Sequence, residues 1–202
     1  MVEFIKWSVV TMKHLILASA SPRRKEILER TGVEFSTVES SFKELNAAGM
    51  KPEELVMANA EGKAKEVSQR VKNAMVIGGD SIVYVHNQIL EKPKDKKDAK
   101  RMLNLLSNTS HQVFTGYSIV DTETQKTVTN YSVGTVYFKK LTNEEIDAYI
   151  ATGEPMDKAG AYAVQGIAIL FIEKTEGDFW GIVGLPLFAV NRDLKNVGIE
   201  LL

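Results

Sequence analysis

The stretch "LILASASPRRKEIL" (residues 15–28) passes from an apolar run into a helix-like pattern within a few residues. Its start, "HLILA" at 14–18, predicts a short buried strand. Pro22 through Thr31 predicts a helix, with Ser21 as its N-cap and Gly32 as its stop. A strand that leads directly into a helix is typical of an α/β protein.

The same stretch places Arg23 and Arg24 in the first turn of that helix. The helix dipole disfavours cations there by roughly 0.3–1 kcal/mol each. The free N–H groups of a helix start can, however, bind an anion such as phosphate. Two interpretations stay open at this point: two solvated arginines behind an ordinary Ser-Pro cap, or an anion site.

The rest of the chain continues to alternate between helix-like and strand-like patterns. Further helices are predicted at 52–71, at 95–106, from a Thr142–Glu145 capping box to Gly153, and from Pro186 onward. Strands are predicted at 34–39, 74–85, 111–121 and 127–140, and a hairpin at 167–183 that pairs "IAILFIEK" with "GDFWGIV" over "TEG". This order predicts an α/β chain with a mixed sheet and flanking helices.

Composition excludes several classes of function. The 202 residues include 44% apolar and 25% charged residues, and the net charge is −1, so no overall basic field draws the chain to nucleic acid or to an anionic membrane. The absence of cysteine excludes disulfides, thiolate nucleophiles and Cys-based zinc sites. No run approaches the ~18 apolar residues of a membrane span, and "MVEFIKWSVVTM" (1–12) lacks the features of a signal peptide. We therefore expect a cytoplasmic protein without nucleic-acid or membrane partners.

Three short stretches carry polar residues in positions that suit chemistry. Asp80 follows two glycines at the end of an apolar run in "GGDSIV", which suits a metal ligand or a general base, although an ordinary turn aspartate is also compatible. Lys92 precedes a proline in "LEKPKD", where a plain surface lysine is the alternative. In the long irregular segment 153–166, Gln165 offers both a donor and an acceptor to a nucleobase edge.

Several common catalytic motifs are absent from the sequence. It contains no GxSxG, HExxH, EF-hand or Walker A pattern. The three histidines, His14, His86 and His111, lack the spacing of metal ligands. These absences argue against a serine hydrolase, a zinc protease and a P-loop nucleotidase.

Seven ordered motifs resemble those of the Maf family of nucleoside triphosphate pyrophosphatases, and they span the chain from His14 to its C-terminal helix. They are "LASASPRR", "SFKE", "GGDSIV", "ILEKP", "ML..LS...H.V.TG", "GEPMDKAGAYAVQG" and "VGLPL". The resemblance implies one Maf-like catalytic domain at 14–202 behind an N-terminal extension at 1–13. It also implies the fold of that family: a mixed sheet with flanking helices and two lobes around a deep central cleft, as in Maf and inosine triphosphatase-like proteins.

The resemblance further implies a reaction and its requirements. Members of the family split a nucleoside triphosphate between the α and β phosphates, which gives the monophosphate and pyrophosphate. They need a divalent cation, Mg²⁺ or Mn²⁺, and they often form homodimers. A regulator of cell division that binds a nucleotide without turnover is the alternative from another class of function.

The site residues follow from the same resemblance, position by position. Asp80 matches the proposed catalytic base, while Glu44 and Lys92 match a cleft glutamate and a cleft lysine. The phosphate-binding positions are matched by Ser19, Ser21, Arg24 and Lys63. The residue chemistry agrees, because the carboxylates of Glu44 and Asp80 offer hard oxygen ligands to Mg²⁺ and the cations offset phosphate charge.

Base preference is expected to depend on three further positions. The family branch that hydrolyses dTTP and UTP typically carries arginine after "SP", threonine after the catalytic aspartate and a late glutamine. Here these positions hold Arg23, Ser81 and Gln165, so serine replaces the commoner threonine. The resemblance therefore favours pyrimidine triphosphates, with 7-methyl-GTP or another purine triphosphate as the alternative.

Overall fold

The computed structural model describes residues 13–46, 49–196 and Ile199. Most of the expected N-terminal extension, including Trp7, lies outside these residues. The strands described are β1 (His14–Ala18), β2 (Phe35–Thr37), β3 (Ala74–Val85), β4 (Gln88–Leu90), β5 (Ser110–Asp121), β6 (Thr127–Phe138) and β7 (Ile172–Gly177). The α-helices are α1 (Pro22–Glu29), α2 (Pro52–Ser68), α3 (Lys96–Leu106), α4 (Asn143–Ala151), α5 (Phe179–Val183) and α6 (Leu187–Asn196).

The seven strands form one mixed sheet, which confirms the predicted fold class. Its order is β2-β1-β3-β5-β6-β7, with β4 paired to the far end of β3. The β2–β1 and β1–β3 pairs are parallel, and all other pairs are antiparallel. The long strand β3 is thus the centre of the sheet, since it pairs with β1, β4 and β5.

Helix α2 crosses the centre of the sheet at van der Waals distance because glycines leave room for it. A Cβ atom on Gly78 of β3 would lie 2.2 Å from the carbonyl oxygen of Ala60. A Cβ on Gly116 of β5 would lie 2.3 Å from the carbonyl oxygen of Val56. These glycines are needed for the close approach of a helix backbone, as expected for glycine inside a strand.

The hydrophobic core is divided into clusters on either side of a cavity. One cluster packs α3 and α4 against the far ends of β3, β5 and β6. A second packs α1 and α6 against β1, β3 and β5. The cavity takes Val83 and Val113 from the first cluster and Val183 from the second. This arrangement agrees with two lobes around a central cleft.

The predicted hairpin at 167–183 is wrong. Ile167–Phe171 is a 3₁₀ helix, and Phe179–Val183 is the short helix α5; only β7 between them is a strand, and it pairs with β6. Within the 3₁₀ helix only Ala168 and Phe171 are buried, the spacing of three that this helix produces. Asp178 caps α5 by accepting a hydrogen bond from the Gly181 amide at 3.0 Å.

The helix caps agree in part with the sequence pattern. The capping box is present, since Thr142 accepts from the Glu145 amide at 3.2 Å and Glu145 from the Thr142 amide at 2.9 Å. Ser21 stands at the N-cap of α1, but its side chain makes no capping hydrogen bond.

In the described part of the chain, no helix is long and apolar enough to cross a membrane.

Candidate active site

A cavity of about 720 Å³ opens between the two core clusters, and all ten residues predicted for the site line it. They come from the loop before α1, the first turn of α1, the segment after β2, helix α2, strand β3, the segment after β4 and the turn that precedes the 3₁₀ helix at Ile167. In that order they are Ser19, Ser21, Arg23, Arg24, Glu44, Lys63, Asp80, Ser81, Lys92 and Gln165. Residues spread over most of the chain therefore meet at one place in the fold.

Two carboxylates converge on one ammonium group in this cavity. Lys63 Nζ lies 2.6 Å from Glu44 Oε1 and 2.8 Å from Asp80 Oδ1. The side chains of Lys63 and Asp80 are 12% and 10% exposed, whereas that of Glu44 is 52% exposed. Burial raises the pKa of the Glu44 carboxyl, but its ion pair with Lys63 and the charge of Lys92 outweigh this and lower the pKa overall.

Asn59 is a site residue that the sequence analysis missed. It lies on α2, is 3% exposed, and donates to Asp80 Oδ2 at 3.1 Å. Its amide oxygen accepts from the Leu45 amide at 2.8 Å, and its nitrogen donates to the Leu45 carbonyl at 3.4 Å. Asn59 therefore joins Asp80 to the segment that carries Glu44. An asparagine inside a helical pattern gave no signal of this role.

Arg24 is held by the protein itself at the edge of the cavity. Its Nε donates to the Gly184 carbonyl at 2.8 Å, Nη1 to Ser19 Oγ at 3.2 Å and Nη2 to Ser81 Oγ at 3.1 Å. Of its five N–H donors, two remain for a ligand. Its guanidinium lies over Gly79, where a Cβ would come within 2.9 Å of Nε. Burial lowers the pKa of Arg24, and the charge of Asp80 opposes this.

A chain of hydroxyl groups continues from Arg24 into the protein. Thr115 Oγ1 on β5 lies 2.9 Å from Ser81 Oγ and 2.8 Å from the Gly181 carbonyl oxygen. Because a carbonyl can only accept, the Thr115 proton points to Gly181, and Ser81 in turn donates to Thr115. Ser81 is thereby left to accept from Arg24. The sequence analysis expected Ser81 to contact substrate. Its hydroxyl group also has two partners within the protein, Arg24 and Thr115.

Arg23 and Gln165 also line the cavity. Burial lowers the pKa of Arg23, and the charge of Asp157, which lines the cavity as well, opposes this. Gln165 is exposed and lies in a turn that the Gly166 amide closes onto the Ala163 carbonyl at 3.1 Å. These two residues add a guanidinium and an amide to the carboxylates and ammonium groups of the lining.

The charges around the cavity nearly cancel. Its lining includes four basic side chains and five acidic ones: Arg23, Arg24, Lys63, Lys92, Glu39, Glu44, Asp80, Glu91 and Asp157. Among the residues that the structure describes, no three His, Cys, Asp or Glu side chains cluster to form a complete protein-only metal site. A strongly anionic ligand would therefore need an added cation here to offset the carboxylates.

Fold and cavity together define a class: an α/β protein with a cavity between two core clusters that is lined by charged and polar side chains. The profile of Maf-like proteins matches residues 14–197, and the chain belongs to the Maf family.

Curated relatives cover nearly all of the chain. A dTTP/UTP pyrophosphatase of Methanosarcina barkeri is 42% identical over 191 residues, which are 94% of this chain and 97% of that protein. Proteins of the same name from Alkaliphilus oremlandii and Bacillus cereus are 47% and 45% identical, over 92% and 94% of this chain and 96% and 93% of theirs. A solved Mycobacterium abscessus nucleoside-triphosphatase / dITP/XTP pyrophosphatase has a TM-score of 0.45 at 14% identity, over 92% of this chain and 98% of that one.

Proposed function

We propose that this protein hydrolyses dTTP and UTP to the nucleoside monophosphate and pyrophosphate. The observation that carries the proposal is the Glu44–Lys63–Asp80 cluster inside a cavity that Arg23 and Gln165 also line. A nucleotide suits both sets of groups, because its phosphates need cations and its base needs hydrogen-bonding side chains. The names of relatives at 42–47% identity support the pyrimidine substrates over the purine and regulatory alternatives.

The residues present fit a divalent cation. Glu44 and Asp80 already share one cation, the Lys63 ammonium, so their oxygens converge on a common point. Mg²⁺ is commonly held by one or two carboxylates together with water and substrate phosphates, which suits a site with two carboxylates. When bound, the cation would act as a Lewis acid that offsets the negative charge of the phosphates.

In the proposed reaction, Asp80 orients a water molecule and accepts its proton as the bond between the α and β phosphates breaks. Asn59 and Lys63 fix the two oxygens of Asp80 so that the carboxylate keeps one orientation. Lys92 and the two remaining donors of Arg24 hold the leaving pyrophosphate, whose charge increases in the transition state. Ser19 and Ser21, in the loop before α1, offer hydroxyl groups to the same phosphates.

At the base end, Gln165 uses its donor and acceptor on the edge of thymine or uracil, and Arg23 contacts the same ring or its sugar. Both side chains line the cavity. They come from other segments of the chain than Asp80, Lys63 and Glu44, and they carry neither a carboxylate nor an ammonium group. We further propose that residues 14–202 act as one catalytic unit and that two copies associate. The single unit is supported by the one sheet that all described strands share. The dimer is supported by the resemblance to the family, and light scattering can measure it.

The test is a release assay across nucleoside triphosphates in the presence of Mg²⁺. We expect dTTP and UTP to be the best substrates, with pyrophosphate and monophosphate in equal amounts, and chelation by EDTA to stop turnover. Asp80→Asn should lower kcat by at least about a hundredfold, because the amide cannot accept the proton. Asp147→Asn is the matched control, since this exposed carboxylate pairs with Lys100 outside the cavity. Release of orthophosphate, or full activity of Asp80→Asn, would contradict the proposal.

A further inference from the structure

Glu154 does not line the cavity, yet it holds the turn that carries Gln165. It opens the first 3₁₀ helix, Glu154–Asp157, directly after α4. Its Oε2 accepts from the Ile167 amide at 3.1 Å, and its Oε1 accepts from the Tyr149 hydroxyl at 2.9 Å. One half-buried carboxylate thus joins the end of α4 to the residue two positions beyond Gln165.

Gly166 packs directly on this carboxylate. A Cβ atom there would lie 2.0 Å from Glu154 Oε1 and 2.7 Å from Oε2. The φ angle of Gly166 is −102°, which lies in the range that L-residues adopt. A Cβ at this position therefore has no room while the Glu154 carboxylate keeps its present place, although the backbone conformation itself would accept one.

The residues before and after Gln165 are restrained differently. Before it, Ala163 is 8% exposed and its backbone forms a hydrogen bond with Tyr149, and Val164 packs against the first core cluster. After it, Ile167 is 47% exposed, and Gln165 itself is exposed. The bond from the Ile167 amide to Glu154 therefore restrains the turn on the side that follows Gln165.

We propose that Glu154 is a positioning residue for base selectivity, which rests on the proposed role of Gln165 as the base reader. An amide selects a base edge only when its donor and acceptor both reach their partners, within a few tenths of an ångström. If the Glu154 anchor is lost, the turn moves, and the pyrimidine loses this pairing. A purine triphosphate, which does not use that pairing, loses less.

The experiment compares dTTP with dGTP, which differ only in the base. Two quantities are measured for each variant, each as the value for dTTP divided by the value for dGTP: the ratio of kcat/KM with Mg²⁺, and the ratio of association constants (1/Kd) with EDTA, where no turnover is expected. In Glu154→Ala we expect both ratios to fall roughly tenfold, since a lost hydrogen bond of ~1.4 kcal/mol corresponds to that factor. Glu154→Gln should keep the ratios within about twofold, because its oxygen still accepts from Ile167 and its NH₂ donates to Tyr149.

The matched control is Glu145→Ala on helix α4, the helix that carries Tyr149. Glu145 likewise accepts one backbone amide, that of Thr142 at 2.9 Å, and one side chain, Lys139 Nζ at 2.5 Å, outside the cavity. It should leave both ratios unchanged. Gly166→Ala is a second variant, whose Cβ separates the turn from the Glu154 carboxylate by moving one or the other. It should lower the ratios as Glu154→Ala does, and it serves if Glu154→Ala fails to fold.

Failure of the inference and failure of the proposed function give different results. Equal losses for dTTP and dGTP in Glu154→Ala, or unchanged ratios in Gly166→Ala, overturn the inference. If the ratios fall as far in Glu154→Gln as in Glu154→Ala, the inference is overturned as well, because the negative charge of Glu154 and not its hydrogen bonds would then be the cause of the selectivity. A wild-type protein that binds dTTP selectively but releases no pyrophosphate overturns the proposed function, while the Kd ratios still test the role of Glu154.

Discussion

Single residues decide how accurately the two carboxylates of the cleft are placed. Asn59 bonds to Asp80 and, through two further bonds, to the backbone of Leu45 beside Glu44. These groups come from α2, β3 and the segment after β2, which pack together only in the folded protein. One amide thereby fixes the relative position of both carboxylates.

We predict that Asn59→Ala lowers kcat for dTTP by about tenfold or more, with a smaller effect on KM. Its removal leaves the Leu45 amide without its partner and frees one oxygen of Asp80, at a cost of about 1–3 kcal/mol in stability. Steady-state kinetics and urea unfolding measure the two effects. Asn104→Ala is the control, because the side chain of the exposed Asn104 donates to the Lys100 carbonyl of its own helix and does not line the cavity. Equal kcat in both variants would refute the role of Asn59.

The motifs in the sequence predicted ten residues that line the cleft, but they did not predict the residues that keep those side chains in position. Arg24, Lys63 and Asp80 lie in recognisable motifs, and the cavity contains them. Asn59 and Thr115 act through contacts across elements, and no local pattern distinguishes them from ordinary helix and strand residues. The spacing of residues in the sequence also could not show that Arg24 uses three of its N–H groups to donate to oxygen atoms of the protein.

At the scale of elements, Glu66 of α2 anchors the segment that carries Glu44. It accepts from Ser40 Oγ at 2.8 Å, from the Ser41 amide at 3.0 Å and from Ser41 Oγ at 2.9 Å. The ion pair with Arg70 is the largest cause that lowers the pKa of Glu66, and the bonds from Ser40 and Ser41 add to it, so that the pKa falls from 4.5 to about 2. The ionised carboxylate is therefore the form that the folded protein stabilises.

We predict that Glu66→Gln destabilises the protein at pH 7, and that the difference from wild type narrows as pH falls from 4.5 towards 2. The folded-state pKa is depressed, so the stabilisation is complete above the ordinary pKa and is lost as the carboxylate protonates. Urea unfolding across this pH range measures the difference. Glu173→Gln, at an exposed position of β7, is the control. A pH-independent difference for Glu66→Gln would contradict the assignment.

Element prediction succeeded where the sequence signal was long or specific and failed where it was short. Strand β3 and helix α4 follow the predicted patterns closely, since a long apolar run or a capping box identifies them. The five apolar residues at 167–171 fit a buried strand equally well by composition, yet they form a 3₁₀ helix that buries only Ala168 and Phe171. The Asp178 cap starts α5 where the second strand was predicted, so the hairpin prediction was wrong there.

At the scale of the whole molecule, His111 links the sheet to the wall of the cleft. It lies on β5, is 2% exposed, and its Nε2 is 2.6 Å from the hydroxyl of Tyr162, which lines the cavity. Its Nδ1 is buried without a hydrogen-bond partner among the described residues. Burial lowers the pKa of His111 from 6.5 to about 3, so the folded protein holds the neutral ring.

We predict that the free energy of unfolding falls as pH decreases from 6.5 to 3, and that His111→Gln reduces this slope. The unfolded chain takes up a proton near pH 6.5, whereas the folded one does so only near pH 3, so acid favours unfolding between these values. Chemical denaturation at several pH values gives the slope. His14→Gln, on the exposed end of β1, is the control; an identical slope in wild type and His111→Gln would rule out this contribution.

The hydroxyl chain from Arg24 through Ser81 to Thr115 has an evolutionary consequence. The relay needs one proton donor and one acceptor on the same oxygen of residue 81. Serine and threonine both carry such an oxygen, so we expect either residue to maintain the relay in related lineages. Alanine and valine lack the oxygen, so we expect substitution by either one to break it.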